Sequence, residues 1–197
     1  MHSDLIQIVD AALASASLRS GSHLACRPGC TQCCHGVFTI SHQDAARLRE
    51  GLELLTVSDS GRALRLRERV AASLRRLDPS FPGNIATGIL TEDEEATSAF
   101  EDFANDELCP VLDPATGTCD LYQHRPVLCR TFGPPARTEG GDLAACELCY
   151  TQASTDEIVA CELDPTLPDT IAESDDAYNA AHGTRGETLI AYALRQS

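Results

Sequence analysis

Four cysteines fall within nine residues, Cys26-x3-Cys30-x2-Cys33-Cys34, and thiols at that density point to metal ligation. A loop that separates two cysteines by two or three residues can turn both sulfurs toward one ion, within the roughly 2.3 Å of a metal–sulfur bond. Side chains of the neighbours Cys33 and Cys34 tend to diverge. One of them is therefore expected to join Cys26 and Cys30, and the other to serve a neighbouring metal, a second iron of the same cluster, or the core. A second set begins at Cys109-Pro110 and continues through Cys119, Cys129, Cys146 and Cys149, with Cys161 beyond. Cysteine followed by proline suits an iron–sulfur ligand loop, because the proline limits backbone freedom and keeps water off the sulfur. Cys146-x2-Cys149 is a chelating pair that needs two further ligands from elsewhere. Cys161 falls in an expected helix and reads as a small buried hydrophobe. Ten cysteines allow two four-sulfur sites with two bystanders, or one cluster and one zinc.

Other residues near these thiols have chemistry to offer. Four thiolates around a divalent ion carry a net charge near −2, and the guanidinium groups of Arg125 and Arg130 can offset it and donate to sulfur. They could equally pair with the chain's many acids. Tyr122 is expected to pack with its hydroxyl on a buried acceptor. His35 and His124 could ligate through imidazole, but neither stands at a spacing that demands it. The order Cys-x3-Cys-x2-Cys also occurs in radical S-adenosylmethionine enzymes. Those need a parallel β/α barrel behind the motif, and no β/α repeat follows it here.

Taken together, Cys26-x3-Cys30-x2-Cys33-Cys34 and then Cys109-Pro110-x8-Cys119-x2-Tyr122-x2-Arg125-Pro126-x2-Cys129-Arg130-x-Phe132 resemble the YkgJ-type cysteine-cluster family, which is linked to chelation of zinc or iron. The resemblance spans roughly residues 22–150. It implies an iron–sulfur or zinc centre built from both cysteine regions, with Cys26, Cys30, Cys33, Cys34, Cys109, Cys119 and Cys129 on the family's cysteine positions and Cys146 or Cys149 on its trailing one. A related domain occurs in bacterial flagellin lysine methylase, which implies a methyl-transfer alternative. This chain departs from the pattern in having both trailing cysteines, Cys161, and an acidic C-terminal stretch.

These residues must be positioned by helices separated by loops. Leu5, Ile8, Val9, Ala12, Leu13 and Ala16 predict a helix over 4–20, closed by Gly21. Residues 22–36 show no periodicity and read as a loop that metal could order. Val37 to Ile40 reads as a short extended piece. Ser41, with Asp44 three residues on, then opens a helix through about Thr56. Leu66, Val70, Leu74 and Leu77 are the buried stripe of a helix over 61–77, which Pro79 and Pro82 end. Ala96, Phe100 and Phe103 predict a surface helix within 91–106. Residues 113–117 form a turn between short extended pieces in a loop-rich region that runs to Cys149. A helix is expected over 145–160, a break at Pro165 and Pro168, and a last helix over 187–196 that could start as early as Asp169.

The expected architecture is therefore mainly α: a small helical domain with two irregular cysteine-rich loop regions, few short strands, and metal as the brace. We read residues 1–197 as a single domain, 22–150 as its metal-binding core and 151–197 as an acidic helical extension. The 197 residues carry 30 acids against 15 arginines, no lysine, and a formal charge of −15, which argues against a nucleic-acid partner. The lack of lysine also excludes Schiff-base chemistry by this chain. No run approaches the roughly 18 apolar residues of a membrane span, and the N-terminus lacks a signal-peptide pattern, so a cytoplasmic location is expected. There, many cysteines signal metal or redox chemistry more than disulfides. Residues 47–76 hold eight arginines and four acids, so a protein partner could dock on this arginine-rich helix or on the acidic one. Three functions fit: a metal-binding protein with an iron–sulfur or zinc centre and a redox role, a methyl-transfer enzyme acting through an iron–sulfur cluster, or a zinc-stapled partner-binding module.

Overall fold

A computed structural model describes residues 2–195 apart from Pro28 and Glu139. Its helices are α1 (His2–Ser20), α2 (His42–Ser58), α3 (Ser60–Leu77), α4 (Glu94–Glu101), α5 (Val127–Thr131), α6 (Thr155–Ala160), α7 (Leu167–His182) and α8 (Ile190–Ala193). Six two-residue strands form three antiparallel pairs: β1 (Gly83–Asn84) with β2 (Ile89–Leu90), β3 (Leu112–Asp113) with β4 (Thr118–Cys119), and β5 (Ala136–Arg137) with β6 (Leu143–Ala144). The chain is mainly helical with short strand pairs, as its pattern predicts. No helix among the described residues is long and apolar enough to cross a membrane. The chain divides into two compact units, Met1–Cys30 with Val127–Ala177, and Thr31–Pro126 with Tyr178–Ser197.

The first unit is built on α1, whose positions Leu5, Val9 and Ala16 are buried. Leu5 and Val9 cluster with Val127 of α5 and Leu167 of α7. The i, i+4 spacing of Leu5 and Val9 puts both on one face of the helix. Gly21, at φ 50°, follows its last residue, a backbone conformation that glycine adopts without penalty. Arg19 donates to the carbonyls of Ala160 at 3.0 Å and Glu162 at 2.6 Å, which ties the end of α1 to the end of α6. Helix α6 starts later than its pattern suggests: residues 145–154 are turns, and Ser154 opens the helix through a reciprocal capping box with Glu157. The two turns that hold Cys146 and Cys149 displace the first half of the expected helix. Pro168 also proves compatible with helix, since it lies in the first turn of α7, where no intrahelical N–H bond is needed.

The second unit packs around α2 and α3. Ser41 accepts from the Asp44 amide to cap α2. Asp59 closes α2 with its backbone and opens α3 with its side chain, accepting from the Arg62 amide at 2.9 Å. One residue thus makes the turn between two helices. On α3 the stripe Ala63, Leu66, Val70, Leu74 and Leu77 is buried, and Leu66 is completely so. Burying one such leucine contributes about 1.5–3 kcal/mol. Ile190, Tyr192 and Leu194 complete this core, with the Tyr192 ring 4.2 Å from that of Phe81. The C-terminal segment enters through paired bonds between Ile40 and Thr188, at 2.8 and 3.0 Å. Helix α4 covers only part of its predicted span, and Phe103 reaches the core from the turns after it. The expected final helix is two: α7, and the short α8 that ends at Ala193; Gln196 lies outside the described residues.

Candidate metal centres

None of the ten cysteines is held in a disulfide, and they sort by unit. Cys26, Cys30, Cys129, Cys146, Cys149 and Cys161 belong to the first; Cys33, Cys34, Cys109 and Cys119 belong to the second. The nine-residue motif is therefore divided between Cys30 and Thr31. Cys33 and Cys34 fall in the second unit, where the Cys109 amide donates to the Cys34 carbonyl.

In the first unit, two tight turns carry thiols near enough to act on one another electrostatically. The Cys30 amide donates to Arg27 O at 2.9 Å, and the Cys149 amide donates to Cys146 O at 2.8 Å. The second turn thus joins Cys146 to Cys149 directly, while the first ends at Cys30 and leaves Cys26 just before it. Cys146 and Cys149 are buried and pack with Leu24 and Ala25, beside Cys26 in the chain. The Ala25 amide donates to Cys149 Sγ at 3.3 Å. Cys26 stays a thiol to about 12, raised first by partial burial, then by the charge of Cys149 and the hydrogen bond it donates there, then by Cys30 and Cys146. Burial, Cys149 and Cys30 likewise raise Cys146. Gly133 lies against this group: a Cβ there would stand 2.9 Å from Cys26 Sγ, and its φ of 127° disfavours any side chain.

In the second unit, Cys33 and Cys34 sit in the 3-10 turn Gln32–Cys34. The Cys109 amide donates to Cys34 O at 2.8 Å, and the Gly36 amide to Glu107 O at 2.9 Å, so the early loop lies along the segment that carries Cys109. Cys119 faces Leu112 across the β3–β4 hairpin. Cys34 donates to Cys33, which draws Cys33 down to about 6 despite its burial, with help from the Arg125 guanidinium. The same bond, burial, and the charges of Cys33, Cys109 and Cys119 push Cys34 far up. Burial pushes Cys109 up to about 12 and raises Cys119 as well.

The arginine-rich helix α3 positions the second pair of these thiols. Arg62 and Arg69 both bond to the carboxylate of Asp120, a side chain that is 1% exposed and follows Cys119 in the chain. Arg69 also donates to Pro110 O at 2.9 Å, next to Cys109. Arg76 and Ser73 hold Glu107, with Arg76 Nη2 at 2.6 Å and Ser73 Oγ at 2.7 Å. The basic run thus binds acids of its own chain on either side of two cysteines. The signal for this was available: Glu107 and Asp120 flank the cysteines, and α3 presents arginines at 62, 69 and 76, two turns apart.

The remaining sequence candidates are placed as follows. Arg125 stacks over the Tyr122 ring at 4.1 Å and bears on Cys33 and Cys119. Tyr122 itself is 54% exposed, so it does not bury its hydroxyl as expected. Arg130 pairs with Asp10, at 2.8 and 3.0 Å from its two oxygens. Cys129 is half-buried on α5. Cys161 is 3% exposed and packs with Tyr150. His35 is exposed, and the ring of His124 lies where a Cβ on Gly51 would stand, 2.6 Å away.

Thiols are donors that both zinc and iron accept. Neighbouring thiols that resist ionising together are relieved by a cation, which takes the place of the protons. Among the described residues, no three histidine, cysteine, aspartate or glutamate side chains are drawn in to the spacing of a bound ion. Residues 25–162 match a family model described as "CxxCxxCC: Putative zinc- or iron-chelating domain". No curated protein and no solved structure matches the chain.

Proposed function

Since the chain belongs to the CxxCxxCC family of zinc- or iron-chelating domains, we propose that it is a metal-binding protein with two four-thiolate centres. Cys26, Cys30, Cys146 and Cys149 form one; Cys33, Cys34, Cys109 and Cys119 form the other. The observation that carries this reading is the pairing, inside each unit, of early-loop thiols with thiols some 75 or more residues away in sequence. Zinc in such a site supplies folding energy, and an iron–sulfur cluster supplies one-electron transfer.

The chain's own residues do the rest. Arg125 lowers the cost of gathering negative sulfur in the second unit, and the Ala25 amide does so for Cys149 in the first. Arg62, Arg69 and Arg76 hold the Cys109 and Cys119 backbone in place before metal arrives, so less conformational freedom is lost on binding. The irregular segments around residues 22–36 and 107–124, where regular structure is sparse, are the ones a bound metal would brace.

Metal and acid-labile sulfide stoichiometry on anaerobically purified protein, with its visible spectrum, tests the reading. Two centres per chain are expected. Protein that binds neither zinc nor iron in stoichiometric amount, even after reconstitution with iron and sulfide, would overturn it.

A further inference from the structure

Tyr150 takes a backbone conformation that favours glycine. Its φ is 56°, and among the described residues Ala104 alone shares a positive φ without being glycine. A bulky residue at such an angle is strained, and the strain persists only where the surroundings hold it. Tyr150 directly follows Cys149, so whatever holds it also sets where the Cys146–Cys149 turn ends.

The side chain supplies the hold. Tyr150 is 6% exposed, and its hydroxyl shares a hydrogen bond of 2.5 Å with Ser20 Oγ. Ser20 is the last residue of α1 and donates from the same oxygen to Ala16 O at 2.6 Å. The Cys161 thiol is a second hydrogen-bond partner of the phenol. The ring stacks on that of His23, with centroids 5.8 Å apart and planes 15° apart, and packs with Cys146, Cys149 and Cys161.

The backbone uses this anchor to join segments far apart in the chain. The Tyr150 amide donates to His23 O at 2.9 Å, and the Ala25 amide donates to Cys149 Sγ at 3.3 Å. On the exit side the Ala153 amide donates to Tyr150 O at 3.1 Å. A negative φ would turn the Tyr150 carbonyl relative to its amide, so the bonds to His23 and Ala153 could not both be kept. Residues 23–25 are thereby tied to residues 149–150 at two points. The next residue, the exposed Cys26, reaches a hydrogen bond with the buried Cys149, to which Cys146 also bonds.

We propose that Tyr150 is the positioning residue of the first unit: its anchored ring holds a left-handed backbone that lays the Cys26 segment against the Cys146–Cys149 turn. Three thiols then stand together before any metal arrives. Their use for metal rests on the reading above; their placement by Tyr150 does not.

The test uses the full chain, reduced and metal-free. Diamide oxidises neighbouring thiols to a disulfide and is itself reduced to the hydrazine, and peptide mass spectrometry maps which sulfurs it joins. The parent protein should give disulfides from Cys26 to Cys149 or Cys146. Tyr150→Phe and Ser20→Ala each remove one side of the anchor and should lower these in favour of Cys146 with Cys149. Cys161→Ser keeps a hydrogen-bonding group and should resemble the parent. Tyr150→Gly should keep more Cys26 cross-linking than Tyr150→Ala, because glycine accepts the left-handed backbone without strain; a ring that only fills space would give no such order. Zinc affinity, read by chelator competition, should fall about 10-fold or more in Tyr150→Ala. Circular dichroism sets a temperature at which the compared proteins are folded, and Ser20→Ala carries the test where a Tyr150 variant is not. Parent-like Cys26 cross-linking in folded Tyr150→Phe and Ser20→Ala, or folded Tyr150→Gly no better than Tyr150→Ala, overturns the proposal and leaves the metal reading intact. The expected cross-linking pattern in a chain that binds neither zinc nor iron supports the proposal and overturns the metal reading.

Discussion

Replacing Asp120 by asparagine removes the anchor that two arginines of α3 share. The carboxylate side chain is 1% exposed, whereas Arg62 is 36% and Arg69 22% exposed. Hydrogen bonds to a charged group contribute about 1.5–3 kcal/mol each. Two of them would set an upper figure near 6 kcal/mol, which water around the half-exposed guanidiniums reduces. Asparagine keeps one acceptor and the side chain's shape, so the expected loss is about 2–3 kcal/mol. For a chain of this size that lowers Tm by roughly 4–12 °C. Thermal melts of metal-free protein, followed by circular dichroism, measure it against the surface change Arg75→Ala, which should stay within about 0.5 kcal/mol. Because Asp120 adjoins Cys119, metal affinity of the second unit should fall as well. A variant that melts with the parent protein would refute the view that α3 pre-positions the later cysteines.

Further outcomes follow from other contacts. Gly133→Ala should destabilise the first unit by about 1–3 kcal/mol and weaken its metal binding, since the added Cβ would meet Cys26 Sγ at 2.9 Å in a disfavoured backbone region; unchanged chelator competition would contradict this. Ser154→Ala removes the Ser154–Glu157 capping box and should cost about 1 kcal/mol, read as faster hydrogen exchange confined to α6. The Tyr192 phenol is raised above its ordinary 10.0 by burial and by its bond to Asp78. Its stabilising effect is therefore complete below that value and is lost as pH rises through the higher folded-state value. Urea melts across alkaline pH should show this loss in the parent protein and less of it in Tyr192→Phe.

The helices were readable where packing followed periodicity. Leu66, Val70, Leu74 and Leu77 mark α3, and Ser41 with Asp44 marks the start of α2, because a buried stripe and a cap are local signals. The first half of the helix expected over 145–160 was not readable, because the turns around Cys146 and Cys149 win over local helical preference. That the Cys34 backbone bonds to Cys109 also escaped the sequence. It is a contact between segments about 75 residues apart, which spacing within the motif cannot reveal. The basic run on α3 was visible as charge, but its role needed the positions of Glu107 and Asp120. Tyr122 was misjudged because its ring is engaged by Arg125 at the surface, with no need to bury its hydroxyl.

The central claim is that two sets of four thiolates hold metal. Cysteine alkylation mapped residue by residue by mass spectrometry, on reconstituted protein before and after chelation, tests it most directly. The account predicts that Cys26, Cys30, Cys33, Cys34, Cys109, Cys119, Cys146 and Cys149 are protected while metal is bound and become reactive together when it is removed, four in each unit. Alkylation of these eight at the same rates with and without chelator would contradict it.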